Sequence, residues 1–348
     1  MPLVSLRQLL DHAAEKDYAI PAFNVCNDEQ IHAVLESALK TNSPVILQFS
    51  SGSINYLGDV FLYYKILALI KEYSNLRICI HRDHATEFHQ CSHAIKLGFS
   101  SVMIDGSLMS DGNTPSDYDY NVNLSKKTVK MAHRLGISVE GELGCLGSLE
   151  TFTATKEDGV GASGILSKSQ LLTNPLEAKK FLKQTEVDCL AIAIGTSHGV
   201  YKFRNRPNDR TFQISHLKKI HSYIPDSHLV IHGGSTIPQG WLKSINLTGG
   251  NINKTYGVPV DKLVESIKYG VRKINIDTDL RIAFTGSIRK FMKMYPEELD
   301  PRKYNSAAKK SMTEMCINRY EAFGTKGMGS KIIPVSIENM KKRYKTKN

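Results

Sequence analysis

The stretch RICIHRDHATEFHQCSH (77–93) contains the unit from which the fold can be predicted. It opens with a short apolar run that ends in polar residues, which is typical of a strand buried on both faces. His89 and His93 lie four residues apart, so we expect them on one face of the helix that follows. Cys79 and Cys91 lack the paired spacing of a closed zinc site. The stretch therefore predicts a strand followed by a helix, and not a zinc finger.

The same pattern recurs along the whole chain, with segments of helical spacing between the apolar runs. The runs are IPAFNV (20–25), PVILQFS (44–50), RICIHRD (77–83), SVMIDGS (101–107), ISVEGELG (137–144), CLAIAIGTSH (189–198), HLVIHGGS (228–235) and VRKINIDTD (271–279). Eight such units predict an α/β fold, a (β/α)₈ TIM barrel, in preference to a doubly wound open sheet. Beyond about residue 285 the pattern is helical. We expect a single domain over 1–348, with the barrel in 1–285 and a C-terminal helical extension in 286–348.

Polar side chains gather at the carboxyl end of nearly every run. They are Asn24, Ser50, Asp83, His84, Asp105, Glu142, His198, His232, Asn275 and Asp277. In a barrel the carboxyl ends of all strands meet at one mouth, where barrel enzymes carry their active sites. The sequence therefore predicts that residues far apart along the chain form one pocket.

Three of these side chains are histidines, namely His84, His198 and His232. Three neutral imidazoles with an open position are typical of a catalytic zinc site. Asp105 and Glu142 are candidates to bind a second cation or to orient the histidines through hydrogen bonds.

Asp83 and His84 raise a geometric problem because neighbours in a regular strand point to opposite faces. We expect the strand to stop at about Asp83, with His84 turning into the loop. His81 would then lie about 6 to 7 Å below Asp83 on the same face, too deep to share the metal. His81 is expected to be a hydrogen-bonded residue of the barrel interior.

Two further motifs are typical of anion binding. HGGST (232–236) offers backbone N–H groups at Gly233 and Gly234 and a hydroxyl at Ser235. NIDTD (275–279) ends the last run. Barrels commonly bind phosphate in the loops after strands seven and eight, so position favours a phosphate site over a simple turn or helix cap.

Composition limits the class of protein. The 348 residues are 41% hydrophobic and 23% charged, which is ordinary for a globular protein with a sizeable core. Six scattered cysteines without a CxxC pair indicate free thiols in a reducing compartment. No uncharged apolar run is long enough to span a bilayer and no signal-peptide pattern opens the chain, so we expect a cytoplasmic protein.

The net charge of +11 fits nucleic acid, membrane or anionic metabolites. Only the last nine residues, MKKRYKTKN (340–348), concentrate that charge, and we expect them to be a solvated, frayed tail. No nucleic-acid recognition motif is present. The segment 145–175, rich in Gly, Ser and Thr, is expected to be a mobile active-site loop, and 243–262 a second excursion.

Taken as a set, the motifs resemble those of the class II, metal-dependent fructose-1,6-bisphosphate aldolases. They are IPAFNV (20–25), HRDHA (81–85), SVMIDGS (101–107), SVEGELGCLGSLE (138–150), AIAIGTSHGVYKF (191–203), IHGGST (231–236) and YGVRKINIDTDLR (269–281). The resemblance extends to about residue 340. It departs at Arg82, usually apolar or glutamine in the family, and at Ala85, usually glycine. By parity Arg82 is expected to point away from the barrel interior.

The resemblance implies reversible cleavage of fructose 1,6-bisphosphate to dihydroxyacetone phosphate and glyceraldehyde 3-phosphate, in glycolysis and gluconeogenesis. The catalytic Zn²⁺ would be bound by the three histidines and act as a Lewis acid on the C2 carbonyl. Asp83 would be the acid–base group at the C4 hydroxyl. Asp105 and Glu142 match a second site, for a divalent or a monovalent cation. The second base is left open between Glu150 and Glu157.

The resemblance also implies a set of substrate-binding positions. They are Ser50, Gly199, Gly233, Gly234, Ser235, Asn275, Ile276, Asp277 and Thr278. Tagatose-bisphosphate relatives tend to have a small residue in place of Asp277, so this aspartate favours fructose 1,6-bisphosphate. The family forms dimers or larger assemblies, and we expect a homodimer or homotetramer that binds a phosphosugar, with no nucleic-acid or membrane partner.

Three alternatives stay open at this stage. A Schiff-base aldolase would use Lys273, which shares the parity of Asn275. A tagatose-bisphosphate aldolase would use the same site. A non-catalytic protein would bind polyanions through the basic tail.

Overall fold

The computed structural model describes residues 3–156 and 158–346. Within them, eight parallel strands close into a barrel in which each strand pairs with its neighbours in chain order. The strands are β1 Ile20–Asn24, β2 Val45–Phe49, β3 Ile78–Ala85, β4 Ser101–Ile104, β5 Ser138–Leu143, β6 Cys189–Ile192, β7 Leu229–Ile231 and β8 Val271–Ile276. The (β/α)₈ prediction is confirmed, and every predicted run corresponds to one strand, with β3 extending two residues beyond its run.

Helices surround the barrel and extend beyond it. They are α1 Leu6–Glu15, α2 Asp28–Thr41, α3 Ser51–Leu57, α4 Asp59–Glu72, α5 Phe88–Lys96, α6 Tyr118–Arg134, α7 Pro175–Thr185, α8 Ile214–Tyr223, α9 Gln239–Leu247, α10 Val260–Ile267, α11 Thr278–Met294, α12 Pro301–Ala322 and α13 Ile337–Lys345, with a 3₁₀ turn at Gly329–Lys331. The expected boundary at residue 285 falls inside α11, which continues across it. The excursion over 243–262 contains the end of α9 and the start of α10.

The barrel interior is apolar at one end and polar at the other. The apolar end is filled by side chains from the strands and is closed by α1, whose Leu6, Leu9 and Leu10 are fully buried. The strand residues of this cluster are Ile20, Ala22, Ile46, Cys79, Met103, Cys189, Ala191 and Val230. Charged and polar interior residues therefore concentrate toward the carboxyl ends of the strands, as the sequence predicted.

The expectation of a frayed basic tail is wrong for the part of the tail that the structure describes. Residues 340–345 belong to α13, and the Tyr344 side chain is buried with its hydroxyl donating to Asp188 at 2.9 Å. Tyr344 also stacks on His133 with ring centroids 3.8 Å apart. Arg343 pairs with Asp11 at 2.8 Å. The basic composition did not predict this helix, because a single aromatic side chain, Tyr344, anchors it while its other face is basic.

All six cysteines carry free thiols, as expected, and five of them are buried. Among the described residues, no helix is long and apolar enough to cross a membrane.

Asp11 provides a test of how α1 is held against the base of the barrel. Its carboxylate accepts from Arg7 at 2.7 Å and from His228 at 2.8 Å. Burial raises the pKa of Asp11, but these partners outweigh burial and lower it from 3.8 to about 2. Because the pKa of Asp11 in the folded protein lies below its unfolded value, the contacts of its carboxylate with Arg7 and His228 stabilise the fold above about pH 4. This contribution is lost as the pH falls toward 2.

We expect Asp11→Asn to lower the free energy of unfolding by about 2 kcal/mol at neutral pH. Urea melts of both proteins between pH 2 and 7 measure the difference, which should shrink below pH 4. Asp17→Asn, at a carboxylate that is 90% exposed, is the control. A difference between Asp11→Asn and the parent that does not change with pH would contradict this account.

Candidate metal centre and active site

A bulge in β3 places two functional side chains at the mouth of the barrel. Arg82 pairs with Val102 of β4, and the next paired residue, Ala85, lies opposite Ile104, so β3 has one residue more than β4 between these two pairs. His84, within the bulge, has a φ of 45°, in the left-handed region. The expected strand end at Asp83 is therefore wrong. The ladder continues to Ala85, and the bulge allows two successive side chains, Asp83 and His84, to face the pocket.

The bulge brings His84 together with His198 and His232. One nitrogen from each ring lies within 4.8 Å of the other two, and all three residues are buried. Nε2 of His84 is 2.8 Å from Nδ1 of His232. Three imidazoles that converge in this way fit a metal with an open coordination position.

Carboxylates fix the orientation of two of these rings. Nδ1 of His84 lies 3.0 Å from Asp105, and Nε2 of His232 lies 2.7 Å from Glu140. A ring N–H directed at a carboxylate leaves the opposite nitrogen free of a proton, which is the form that binds metal. The two nitrogens that face each other across the pocket are thus the ones available as ligands.

The electrostatics of the three rings differ. Burial lowers the pKa of His84, but Asp83 and Asp105 outweigh burial and raise it to about 10. Burial, together with the neighbouring imidazoles, lowers the pKa of His198 well below its usual range, and burial also lowers that of His232. His198 and His232 are therefore neutral at pH 7, and His84 would release its second ring proton when a metal binds.

Asp83 is held through one oxygen only. Its Oδ2 accepts from Asn24 at 2.7 Å, and Asn24 in turn accepts from Gln48 at 2.8 Å. Its Oδ1 is buried and has no hydrogen-bond partner among the described residues. Burial raises the pKa of Asp83, but the fields of His84 and His232 outweigh burial and hold it well below its usual range. The site thus contains an ionised carboxylate with one uncommitted oxygen.

A second group of possible metal ligands adjoins the first. His84, Asp105 and Glu142 offer ligand atoms within 4.8 Å of one another. Oε2 of Glu142 is buried without a hydrogen-bond partner in the described part of the chain. Burial and the charge of Asp105 raise the pKa of Glu142 well above its usual range. A bound cation would satisfy the orphaned oxygen and offset the repulsion between the two carboxylates.

His81 and Arg82 lie where their parity placed them. His81 is fully buried inside the barrel, with Nδ1 2.8 Å from the hydroxyl of Ser101. Arg82 points away from the interior and donates to Ser51 at 2.5 Å, at the start of α3. The departure from the family pattern at position 82 therefore changes packing outside the barrel, and not the lining of the pocket.

Three loops form a cavity beside the histidines. The residues that line it are Asn24, Asp83, His198, Gly199, Lys202, Gly233, Ser235, Asn275, Asp277 and Thr278. The loops are tied together, because the Asp277 N–H donates to Ser235 at 3.2 Å and Thr278 donates to the carbonyl of Gly199 at 3.2 Å. Gly233 has a φ of 64°, and a Cβ there would lie 2.5 Å from the carbonyl oxygen of Ser197. Only glycine allows these two loops to pack so closely.

Three predicted substrate positions do not line this cavity. Ser50 caps α3 and bonds to Asp158 across the mouth. The N–H of Gly234 already donates to the carbonyl of Asn275 at 3.1 Å. Ile276 is fully buried in the outer core, since its side chain has the opposite parity to Asn275.

Glu150, one of the two candidate second bases, is not brought to the histidines. Glu150 lines a neighbouring cavity of about 280 Å³ and accepts from the N–H of Arg204 at 2.8 Å. Glu157 lies outside the described residues. Other residues of the same loop cover the histidines, among them Leu146, Thr155 and Val160.

The sequence reasoning missed residues that support the site. Lys202 lines the cavity and donates to the carbonyl of Ser197 at 2.5 Å. Glu140 and Gln48 contact the site from inside the barrel. Parity could have found these two, because each lies on the inward face of its strand. Lys202 lies in a loop, where no such signal exists.

A closed parallel barrel with buried imidazoles and carboxylates at its mouth defines the class of metal-dependent barrel enzymes. The family described as fructose-bisphosphate aldolase class-II matches residues 4–328. Fructose-bisphosphate aldolases of Stutzerimonas stutzeri and Pseudomonas aeruginosa are each 59% identical over 99% of this chain and 97% of their own length. A plasmid-encoded fructose-bisphosphate aldolase of Cupriavidus necator is 52% identical over 99% of this chain and all of its own.

Solved structures show the same fold. The YdjI aldolase from Escherichia coli K12 aligns over 94% of this chain and 99% of its own, with a TM-score of 0.70 and 24% identity. Fructose-bisphosphate aldolase from Campylobacter jejuni aligns over 93% of this chain and 96% of its own, with a TM-score of 0.69 and 24% identity. The chain belongs to the class II fructose-bisphosphate aldolase family, which is metal-dependent.

Proposed function

We propose that this protein cleaves fructose 1,6-bisphosphate reversibly to dihydroxyacetone phosphate and glyceraldehyde 3-phosphate in the cytoplasm, in glycolysis and gluconeogenesis. The observation that carries the proposal is the convergence of three imidazoles beside a cavity that His198 and an ionised Asp83 line. Family membership supports the substrate class.

The residues present fit a divalent metal, and we propose Zn²⁺ bound by His84, His198 and His232. When bound, the ion would supply Lewis-acid polarisation of the C2 carbonyl. Nitrogen ligands favour zinc over the harder cations. Asp105 and Glu142 would bind a second divalent or a monovalent cation, or orient His84.

Asp83 is proposed as the acid–base group at C4. In the cleavage direction its uncommitted Oδ1 takes the proton of the C4 hydroxyl, the C4 carbonyl forms, and the C3–C4 bond breaks with its electron pair passing to C3 and onto the C2 carbonyl oxygen. In condensation it returns that proton. Asn24 holds the other oxygen at 2.7 Å, so the carboxylate is oriented before substrate binds.

The phosphate groups of the substrate would bind in the loops after β6, β7 and β8. Gly199, Gly233 and Ser235 offer backbone and hydroxyl groups, and the cation of Lys202 favours an anion. Asp277 pairs with Arg281 at 2.8 Å, which fixes its position for contact with the sugar. This aspartate is the basis for preferring fructose over tagatose bisphosphate.

Condensation requires a base for the α-proton of dihydroxyacetone phosphate. Glu150 and Glu157 remain the candidates, and movement of the 145–175 loop would bring either one to the substrate.

Two or four copies of the chain are proposed to assemble. The exposed apolar side chains of α4, including Val60 and Phe61, are consistent with a contact surface.

Parallel assays with fructose and tagatose 1,6-bisphosphate test the substrate. We expect faster cleavage of the fructose ester, and no inactivation when borohydride is added with substrate, because Lys273 is buried and hydrogen-bonded. The control is a Schiff-base aldolase under the same borohydride treatment. Equal rates on the two sugars would contradict the inference that Asp277 gives a preference for fructose over tagatose bisphosphate. Loss of activity with borohydride would favour a covalent lysine mechanism.

A further inference from the structure

Lys273 is a fully buried cation in the middle of the barrel. Its Nζ lies 2.9 Å from Oε2 of Glu140 and 2.8 Å from Oδ1 of Asn275. Neither Lys273 nor Glu140 has any exposed surface. Removing two charges from water is costly, and a buried pair of this kind often adds no net stability over apolar residues. The pair therefore calls for an explanation other than stability.

Glu140 connects this lysine to the candidate metal centre. Oε1 is 2.7 Å from Nε2 of His232, while Oε2 contacts Lys273 and lies 3.5 Å from Nε2 of His81. Both carboxylate oxygens are thus committed. Lys273 holds Oε2 and so fixes the plane of the Glu140 carboxylate. The other oxygen, Oε1, then fixes the orientation of the His232 ring.

Asn275 is oriented by the same ammonium group. Because its Oδ1 accepts from Lys273, its Nδ2 is turned toward the imidazole of His232, 3.2 Å from Nδ1 and 3.3 Å from Nε2. The side-chain amide therefore presents a donor to the pocket, which it also lines. One lysine nitrogen sets the direction of two side chains at the site.

We propose that Lys273 is a positioning residue: it holds Glu140 so that the His232 ring is set for metal, and it turns the Asn275 amide toward substrate. The inference rests on the proposed metal-dependent function. It assigns Lys273 no contact with the reacting atoms. Removal of its two bonds should weaken metal binding even when the fold is kept.

Metal binding by purified variants tests this role. Zn²⁺ affinity is measured by competition with a chelating indicator, the Co²⁺ absorption spectrum reports ligand geometry, and thermal melts report stability. Lys273→Met leaves the Glu140 charge unpaired, so both stability and affinity should fall. Lys273→Met combined with Glu140→Gln removes both charges, so the melting temperature should recover toward wild type. Zn²⁺ affinity should remain about 10 to 100-fold below wild type and below that of Glu140→Gln alone, which keeps Lys273, with an altered Co²⁺ spectrum.

The control is a pair at the other end of the barrel in which Asp188 is buried and His133 is partly buried. Asp188, 2.9 Å from His133, is replaced by asparagine, which should lower the melting temperature without changing Zn²⁺ affinity. If the double variant does not fold, Lys273→Gln, which removes the charge and is one atom too short to keep both bonds, takes its place with the same expected loss of affinity.

A double variant with the same Zn²⁺ affinity as Glu140→Gln alone, or a Lys273→Gln protein with wild-type affinity and Co²⁺ spectrum, would overturn the positioning role and leave Lys273 a structural residue. Wild-type protein that binds neither ion would overturn the proposed function itself. The two failures are therefore distinguishable.

Discussion

Asp83→Asn is expected to lower kcat for fructose 1,6-bisphosphate cleavage by about 10² to 10⁴-fold, the usual range for loss of a general acid–base group. This corresponds to about 3 to 5 kcal/mol of transition-state stabilisation. The amide keeps the size of the side chain and an oxygen that can accept from Asn24. It cannot take the C4 hydroxyl proton.

Steady-state kinetics and metal content measured on the same variant separate chemistry from binding. KM and bound metal should change little, because Asp83 is not one of the three residues proposed to bind the metal. Asp188→Asn, at the far end of the barrel, is the matched control and should retain wild-type kcat. An Asp83→Asn protein with nearly full kcat would exclude Asp83 as the acid–base group.

His232→Ala is expected to remove the metal and lower cleavage by about 10³-fold or more. The ring supplies one of three converging nitrogens, and Lewis-acid stabilisation amounts to several kcal/mol, each 1.36 kcal/mol being tenfold in rate. The variant should fold with reduced stability. The truncation creates a cavity, but Glu140 stays paired with Lys273.

His93→Ala provides a histidine control on the surface. His93 lies on α5, pairs with Asp59 at 2.9 Å and is 43% exposed in its side chain, so its loss should leave metal content unchanged. Retention of tightly bound metal and activity by His232→Ala would mean that the three imidazoles are not the catalytic metal site.

The barrel and the meeting of the histidines could be predicted because both depend on simple regularities. Apolar runs give the strands, and the carboxyl ends of parallel strands must converge, so His84 and His232 come together whatever lies between them. The bulge at His84 could not be predicted. It changes pairing by a single residue, which leaves no trace in the apolar pattern.

The alternation of side chains along each strand was the most informative signal for the barrel interior. It placed His81 inside and Arg82 outside, and it would also have identified Glu140. It argued against Ile276 as a substrate contact, because its neighbour Asn275 faces inward. Lys202 and the orientation of Glu150 depend on loop conformation, which follows from tertiary packing and not from any local period.

Metal content and fructose 1,6-bisphosphate cleavage, measured on one preparation of wild-type protein and His232→Ala, test the central claim most directly. We predict that wild type contains a divalent metal, that chelation removes metal and activity together, and that added Zn²⁺ restores both. His232→Ala should lack both throughout. Cleavage that persists in metal-free wild-type protein would contradict the account.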